Sequence, residues 1–149
     1  MPLFRWQDFE AAAPELAALG RGRIERDGFV LVGTIRRDGT PRISPVGAGI
    51  VAGHLALNVL RDSLKARDLL RDPRILVHGV VAHAGDPNEE FKLRGRAIIV
   101  DSPEVRKGIE ELTWSPPPES IVFSIDIEEA AFLAWAKGEV VVTRWRRDR

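Results

Sequence analysis

One short segment of the chain, DSLKARDLLRDPR at residues 62–74, carries residue types that hold an anion. Its pattern predicts a helix over residues 64–71, with Asp62 or Ser63 as the N-terminal cap. A serine hydroxyl, the free N–H groups of a helix start and the Lys65 ammonium would then meet where a strand gives way to a helix. Such a junction is a sound phosphate site, because all three groups favour a bound oxyanion.

The same segment also suits an ordinary solvated helix face. The helix would carry three cations, Lys65, Arg67 and Arg71. Asp68 and Asp72 stand at spacings that allow ion pairs with these cations along a helix. The pattern alone favours the solvated face, so the phosphate site remains an alternative at this point.

A second candidate is the predicted strand TPRISPV at residues 40–46. Alternation divides its side chains between two faces, with Arg42, Ser44 and Val46 on one and Pro41, Ile43 and Pro45 on the other. Because proline cannot donate a ladder hydrogen bond, we expect this strand at a sheet edge or a bulge. Free backbone groups there could serve a flat polar ring. The alternative is an edge strand that proline protects against aggregation.

Two further strands carry polar residues of interest. LALNVL places Asn58 in an apolar strand, where its amide is either a satisfied structural group or a ligand contact. FKLRGRA places Lys92, Arg94 and Arg96 on one strand face. That face is either solvated or directed at an anion or a second subunit.

Several kinds of chemistry have no support in the sequence. The chain has no Cys and no Tyr, and its three histidines are His54, His78 and His83. His78 and His83 are expected on opposite faces of one strand, so we expect no metal site. The sequence contains no nucleophile elbow, Walker loop or H-E-x-x-H motif. If the protein is an enzyme, a bound cofactor would supply the difficult chemistry.

Composition predicts one domain over residues 1–149. The chain balances 22 basic against 22 acidic residues, which argues against nucleic acid or a membrane surface as a partner. The absence of cysteine fits a reducing cytoplasm, and the N-terminal residues do not resemble a signal peptide. We therefore expect a soluble cytoplasmic protein.

Strands dominate the remaining pattern. GFVLVGTIRRDGTPRISPV predicts a hairpin with an Asp38-Gly39 turn, and AGIVAGHLALNVL predicts a second one that turns near Gly53. Further strands are predicted in RILVHGVVAH, FKLRGRAIIV and SIVFSIDIEEAAFLAWAKGEVVVTRW. About seven or eight short antiparallel strands favour a closed or half-closed barrel, since closure removes exposed sheet edges.

Two or three short helices complete the prediction. The first runs from Phe9 to Leu19, with Asp8 as its cap and Gly20 at its end. Another begins after Pro103, and TWSPPPES follows it as a loop.

Taken together, TIRRDGTPRISPV, LALNVL, DSLKARDLLRDPRILVH and FKLRGRA resemble, in that order, the pyridoxamine 5'-phosphate oxidase-like family of flavin-binding split barrels. The resemblance covers roughly residues 25 to 100. It implies a mainly β, antiparallel split barrel that forms a homodimer, with FMN or a related deazaflavin at the subunit interface.

The resemblance also implies roles for particular residues. The strand matching Arg42 to Val46 would lie along the isoalloxazine ring, and the S-x-K stretch of Ser63 and Lys65 would bind the phosphate. The partner's side of the pocket would carry the Lys92 strand and a C-terminal aromatic residue such as Trp135 or Trp145. The cofactor contacts so expected are Arg42, Ser44, Pro45, Val46, Asn58, Ser63, Leu64, Lys65, Arg67, Lys92, Arg94 and Trp135.

The chain departs from the true pyridoxamine phosphate oxidases at two places. Ser44 and Pro45 replace part of their R-x-V-L-L-K strand pattern, and their C-terminal substrate motif is not found around VVVTRWRRDR. Oxidation of vitamin B6 is therefore not expected. We expect an FMN-dependent oxidoreductase acting on a small organic substrate, with a deazaflavin-dependent reductase or a non-enzymatic flavin- or haem-binding protein as alternatives.

Overall fold

The computed structural model describes residues 2–81, 88–113 and 120–148. Within these ranges it contains four helices: α1 (Trp6–Ala12), α2 (Pro14–Asp27), α3 (Leu64–Arg71) and α4 (Pro103–Leu112). The same ranges contain seven strands: β1 (Phe29–Ile35), β2 (Pro41–Val51), β3 (His54–Leu60), β4 (Arg74–His78), β5 (Asn88–Ile99), β6 (Ser120–Ala136) and β7 (Glu139–Arg146).

All neighbouring strands of the sheet are antiparallel. Their order is β3-β2-β1-β4-β5-β6-β7, and β3 also pairs with β6, which closes the first six strands into a ring. β7 pairs with β6 and extends the sheet beyond the ring. The prediction of a mainly β split barrel is therefore confirmed.

Both predicted hairpins are present. The β1–β2 turn contains Asp38 and Gly39 and is closed by a 2.8 Å hydrogen bond from Arg36 N to Thr40 O. The β2–β3 turn contains Ala52 and Gly53, both with positive φ. Such left-handed residues match the turn to the twist of the paired strands.

The N-terminal helix prediction is wrong in its bounds. Two helices cover residues 6–27, and Asp8 lies inside the first one, where its carboxylate accepts a 2.8 Å hydrogen bond from Arg5 N. The second helix continues past Gly20, ends at Asp27 and is capped by Gly28, whose φ is 71°. Gly20 serves packing instead, since a Cβ there would lie 2.6 Å from the Phe91 ring.

The core fills the inside of the barrel. Ile121, Phe123, Ile125 and Ile127 of β6 are buried there, as their alternation predicts. Val122 and Ser124 on the opposite face are also buried. Val122 belongs to a second cluster with Ala56 and the α4 residues Val105 and Ile109.

Two further segments differ from their predicted extent. The strand predicted from residue 74 ends at His78, and His83 lies outside the described residues, as does most of the predicted TWSPPPES loop. The C-terminal segment is held by Trp145, which packs against the core, and by Arg147, whose Nη1 donates to Asp126 at 2.8 Å. No helix in the described ranges is long and apolar enough to cross a membrane.

Candidate functional site

Half of β2 lies at an open sheet edge. β2 pairs with β1 along residues 41–47 but with β3 only along residues 47–51. Ala48 N donates to Gly28 O at 3.1 Å, so alternation along the ladder turns the backbone groups of residues 41, 43 and 45 toward the open edge. Two of these residues are prolines, which leaves the Ile43 N–H as the donor there. The predicted edge position of this strand is therefore confirmed, and its register contains no bulge.

Helix α3 packs against β1 and β3, which flank β2 on its two sides, and it runs antiparallel to β2. Its start is near the end of β3, where Ser63 Oγ donates to Leu60 O at 2.6 Å. Its middle meets β2 through Asp68, and its last residue, Arg71, donates to Ile35 O at 2.7 Å. One turn before Asp68, Lys65 is therefore at about the level of Ser44. We call the space between these two segments the crevice.

The start of α3 presents several oxyanion donors to this crevice. Ser63 caps the helix by accepting a 3.2 Å hydrogen bond from Ala66 N. Because its hydroxyl hydrogen is directed at Leu60, Ser63 orders the helix start and is not a free donor. The first N–H groups, those of Leu64 and Lys65, have no acceptor within the helix. Of the three predicted kinds of donor, the N–H groups and the Lys65 ammonium therefore remain, and the serine hydroxyl does not.

Lys65 and Arg67 have different surroundings. Lys65 is half-buried and Arg67 is exposed, and neither forms an ion pair with any other described residue. The alternative in which Asp68 and Asp72 pair with the cations of this helix holds only for Arg71, whose Nη2 lies 3.1 Å from Asp68. Asp68 is directed inward, and Asp72 forms an ion pair with Arg74 at 2.7 Å.

Asp68 is buried where α3 meets β1 and β2. It is 2% exposed and accepts hydrogen bonds from Arg42 Nε and Thr34 Oγ1, each at 2.7 Å, and from Arg71 at 3.1 Å. Burial alone would raise the pKa of Asp68, but the hydrogen bonds from Arg42, Thr34 and Arg71 outweigh it and keep this pKa below its usual value. The network ties α3 to β1 and β2.

Sequence reasoning missed Asp68 and Thr34. One signal was available, because Asp68 stands between the apolar residues Ala66 and Leu69 on the side of the helix that packs. Arg42 is placed beside the crevice as predicted, but its Nε already binds Asp68. Its terminal nitrogens make no other hydrogen bond within the described ranges.

The other predicted residues of β2 divide between the two faces. Ser44 is half-buried, and Val46 is buried in the barrel core. Pro45 is exposed on the opposite, outer face of the strand. A ring at the open edge would therefore meet the backbone of Ile43 and Pro45.

Asn58 lies where β2 and β3 separate. It is paired with Gly47, and its Nδ2 donates to Thr113 Oγ1 at 3.3 Å just beyond the end of α4. Its side-chain Oδ1 is buried and has no hydrogen-bond partner among the residues described. Such an orphaned acceptor is costly unless a donor reaches it. A ligand with an N–H group fits this requirement.

Lys92, Arg94 and Trp135 do not reach the crevice. They lie on the outer face of the sheet. On this face, residues that are paired from strand to strand form rows across the sheet. One row consists of Ile43, Gly33, Leu76, Arg94, Glu129 and Arg146, and the next consists of Pro45, Leu31, His78, Lys92, Ala131 and Arg144. Within one chain, Lys92 and Arg94 are therefore three strands away from β2.

The outer face is also rich in exposed apolar side chains. Ile43 is 75% exposed, Leu76 46% and Val140 49%. They share a face with Pro41 and Pro45, but only Ile43 stands at the open edge of β2, since Leu76 is on β4 and Val140 on β7. Apolar surface of this extent on a sheet face typically marks an interaction surface.

The two described histidines lie apart. His54 Nδ1 and Ser124 Oγ are 2.7 Å apart, and His78 Nδ1 is 2.6 Å from Gly79 O. Burial, followed by the charge of Arg5, lowers the pKa of His54. No three potential metal ligands cluster anywhere in the described ranges.

Comparisons with known proteins agree with this architecture. A family model described as pyridoxamine 5'-phosphate oxidase matches residues 19–134. No curated protein sequence gives a significant match.

Several solved structures are similar to the chain. PhzG from Burkholderia lata 383, in complex with tetrahydrophenazine-1-carboxylic acid, matches with a TM-score of 0.64 and 15% identity over 94% of this chain and 86% of that one. The haem-binding protein from Mycobacterium smegmatis matches with a TM-score of 0.65 and 18% identity over 83% and 56%. The haem storage protein HutZ from Vibrio cholerae matches with a TM-score of 0.59 and 17% identity over 78% and 89%. At these identities the likeness shows a shared fold.

Proposed function

The chain belongs to the pyridoxamine 5'-phosphate oxidase family, and we propose that it is a homodimeric FMN-binding oxidoreductase acting on a small organic substrate. The observation that carries the proposal is the crevice between the open edge of β2 and the start of α3. It combines oxyanion donors at one end with free backbone groups along a flat edge.

The phosphate end of FMN fits the start of α3. The N–H groups of Leu64 and Lys65 and the Lys65 ammonium would hold it, and Ser63 would keep the helix start in shape. A helix start with a nearby cation favours a phosphate over a neutral group. Arg67 is a further candidate contact because it is exposed and has no ion-pair partner among the described residues.

The ring of FMN fits the open edge of β2. Its polar rim offers acceptors that match the Ile43 N–H, and the orphaned Asn58 Oδ1, level with Gly47, is open to another donor of the ligand. When bound, the flavin supplies hydride or electron transfer. The protein residues would hold and orient the ring, and a covering subunit would exclude water from it.

A second copy of the chain would provide that cover. The exposed residues Ile43 and Leu76 lie on the outer face, with Ile43 at the open edge of β2. A copy docked on this face would shield them and bring its own Lys92, Arg94 and Trp135 to the cofactor. These three residues would then serve the partner's cofactor site.

Haem binding is the second candidate, because two of the similar structures belong to proteins named for haem. The oxyanion donors at α3 favour a phosphate-bearing cofactor. A candidate haem ligand is His78, which lies on the outer face and is paired with Lys92. Its Nε2 lies 3.6 Å from Glu90. A haem site would have to form around that face rather than in the crevice.

One spectroscopic experiment separates these functions. The purified protein is titrated with FMN, with a deazaflavin and with haemin, and the visible spectrum is recorded. The proposal expects flavin bands and tight FMN binding, followed by turnover with NAD(P)H and an electron acceptor. Tighter binding of the deazaflavin would reassign the cofactor, and a Soret band with no flavin binding would refute the proposal. Tight binding without turnover would leave a non-enzymatic binder.

A further inference from the structure

Two neighbouring rows on the outer face of β5, β6 and β7 differ in the charge of their middle residue. The first row pairs Arg94 with Glu129 and Glu129 with Arg146. The second pairs Lys92 with Ala131 and Ala131 with Arg144. Both rows thus have a cation on each outer strand, but only the first has a carboxylate between them.

The Glu129 row shows how a carboxylate is held in this geometry. Arg94 Nε donates to one oxygen of Glu129 and Arg146 Nε to the other, each at 2.7 Å. These hydrogen bonds, that of Arg94 first, lower the pKa of Glu129 to about 2. The carboxylate therefore stays charged between two guanidinium groups.

The Ala131 row lacks this carboxylate. Arg144 forms no ion pair with any described residue, and Lys92 contacts Glu90 of its own strand at 3.2 Å. The strands that carry Lys92 and Arg144 are separated by one strand, so their backbones are roughly 9–10 Å apart. The small side chain of Ala131 leaves the space between the two cations open.

A depression of about 570 Å³ lies over this row. Its lining includes the apolar residues Leu76, Ala130 and Ala131. The lining also contains four cationic side chains, Lys92, Arg94, Arg144 and Arg146, against the carboxylate of Glu129 in the lining and that of Glu90 beside Lys92. An apolar floor with an excess of positive charge suits a flat organic anion.

We propose that Lys92 and Arg144 form a subsite for the carboxylate or phosphate of a small, flat organic anion, which occupies above Ala131 the place that Glu129 occupies in the neighbouring row. The body of the anion would lie on Leu76 and Ala131. The subsite identifies the substrate class as anionic.

This inference rests on the proposed function for its link to catalysis. Within one chain, Ala131 lies four strand spacings, or roughly 19 Å, from Pro45 on β2. An anion above Ala131 is therefore too far from the cofactor that the same chain would bind at β2. The subsite therefore serves the cofactor bound by the partner copy. Its binding of an anion, however, is a property of one chain and can be measured separately from FMN binding.

The experiment is calorimetric titration of the purified protein at low ionic strength. Benzoate and inorganic phosphate are the two oxyanion probes, and benzamide is a neutral analogue of benzoate. The key variant is Ala131→Glu, which places a carboxylate where the ligand's is expected. Val141→Glu is the matched control, since Val141 is 63% exposed on the other face of β7.

Benzoate should bind the wild-type protein and benzamide should not, and phosphate shows whether the site also accepts a phosphate group. Arg144→Gln should weaken benzoate about tenfold, which corresponds to about 1.4 kcal/mol. Ala131→Glu should abolish binding with an unchanged melting temperature, and Val141→Glu should retain it. If Ala131→Glu showed no melting transition, it would not be folded, and the benzoate affinity of Arg144→Gln would decide whether the subsite exists.

Three results would overturn the subsite. They are equal benzoate affinity in both glutamate variants, no weakening in Arg144→Gln, and no oxyanion binding by the wild-type protein. The last result together with weaker dimerisation of Ala131→Glu would assign the row to a carboxylate of the partner copy. FMN titration of the same samples separates the two proposals, because intact FMN binding without anion binding overturns the subsite alone.

Discussion

Arg42 on β2 and Asp68 on α3 form an ion pair in which Nε and Oδ2 are 2.7 Å apart. Because Asp68 is buried and also accepts hydrogen bonds from Thr34 and Arg71, the pair fixes the helix against two strands. The crevice that would hold the cofactor therefore depends on a carboxylate that does not itself reach the start of α3.

Replacing Asp68 should destabilise the protein strongly. Asp68→Ala leaves the Arg42 charge half-buried without its partner, and breaking such a pair costs about 3–5 kcal/mol. Chemical denaturation measures the loss in the free energy of unfolding. Asp72→Ala is the control, because its ion pair with Arg74 is exposed to solvent and should contribute little. Equal losses in the two variants would contradict a special role for Asp68.

Asp68 should also make stability depend on pH in the acid range. Its pKa in the folded protein is below the usual value, so the unfolded chain binds a proton first as pH falls. The stabilisation is fully present above the unfolded pKa of about 4 and is lost as pH drops through the lower folded value. Asp68→Asn should show a shallower decline in melting temperature between about pH 5 and pH 2. An unchanged decline of melting temperature with pH in Asp68→Asn would show that the acid sensitivity arises from other groups.

The elements with local signals could be predicted from the sequence. The Asp38-Gly39 turn and the Ser63 cap each depend on residues within a few positions, and both hairpins and α3 are present. The open edge of β2 also follows from a local fact, the missing N–H groups of Pro41 and Pro45.

The parts that depend on distant contacts could not be predicted. Asp68 looked like a solvated acid because its partners, Arg42 and Thr34, are on other elements. Gly20 looked like a helix end because the Phe91 ring that needs the space lies on β5. The distribution of the predicted contacts over two faces of the sheet likewise follows from the register of strands that are far apart in sequence.

Gly20 gives a direct test of that packing. A Cβ at residue 20 would lie 2.6 Å from the buried Phe91 ring, so Gly20→Ala should cost about 1–3 kcal/mol through overpacking. Gly22 of the same helix has no atom within 4 Å of an added Cβ. Gly22→Ala should therefore stabilise the protein by about 0.5–1 kcal/mol, since alanine favours a helix. Thermal unfolding of the two variants should shift in opposite directions, and a stabilised Gly20→Ala would refute the packing argument.

Lys65 should carry a large part of the FMN affinity. Lys65→Ala removes the cation at the start of α3 and should weaken FMN binding by about 1.5–3 kcal/mol, the scale of a hydrogen bond to a charged group. Fluorescence titration with FMN measures the change. The control is Lys107→Ala, because Lys107 is an exposed lysine on α4 away from the crevice. Unchanged affinity in Lys65→Ala would place the phosphate elsewhere.

The outer face should hold the homodimer together, and Ile43 is its most exposed large apolar residue among those described. At 75% exposure, Ile43→Asp should cost the monomer little, but it would bury a charge in an interface formed on that face. Analytical ultracentrifugation should show a dimer for the wild-type protein and a shift of at least tenfold toward monomer for the variant. Leu19→Asp on α2 is the control, since Leu19 is 44% exposed outside the outer face, and it should leave the dimer intact. A wild-type monomer, or a dimer equally stable in both variants, would show that a second copy does not cover this face.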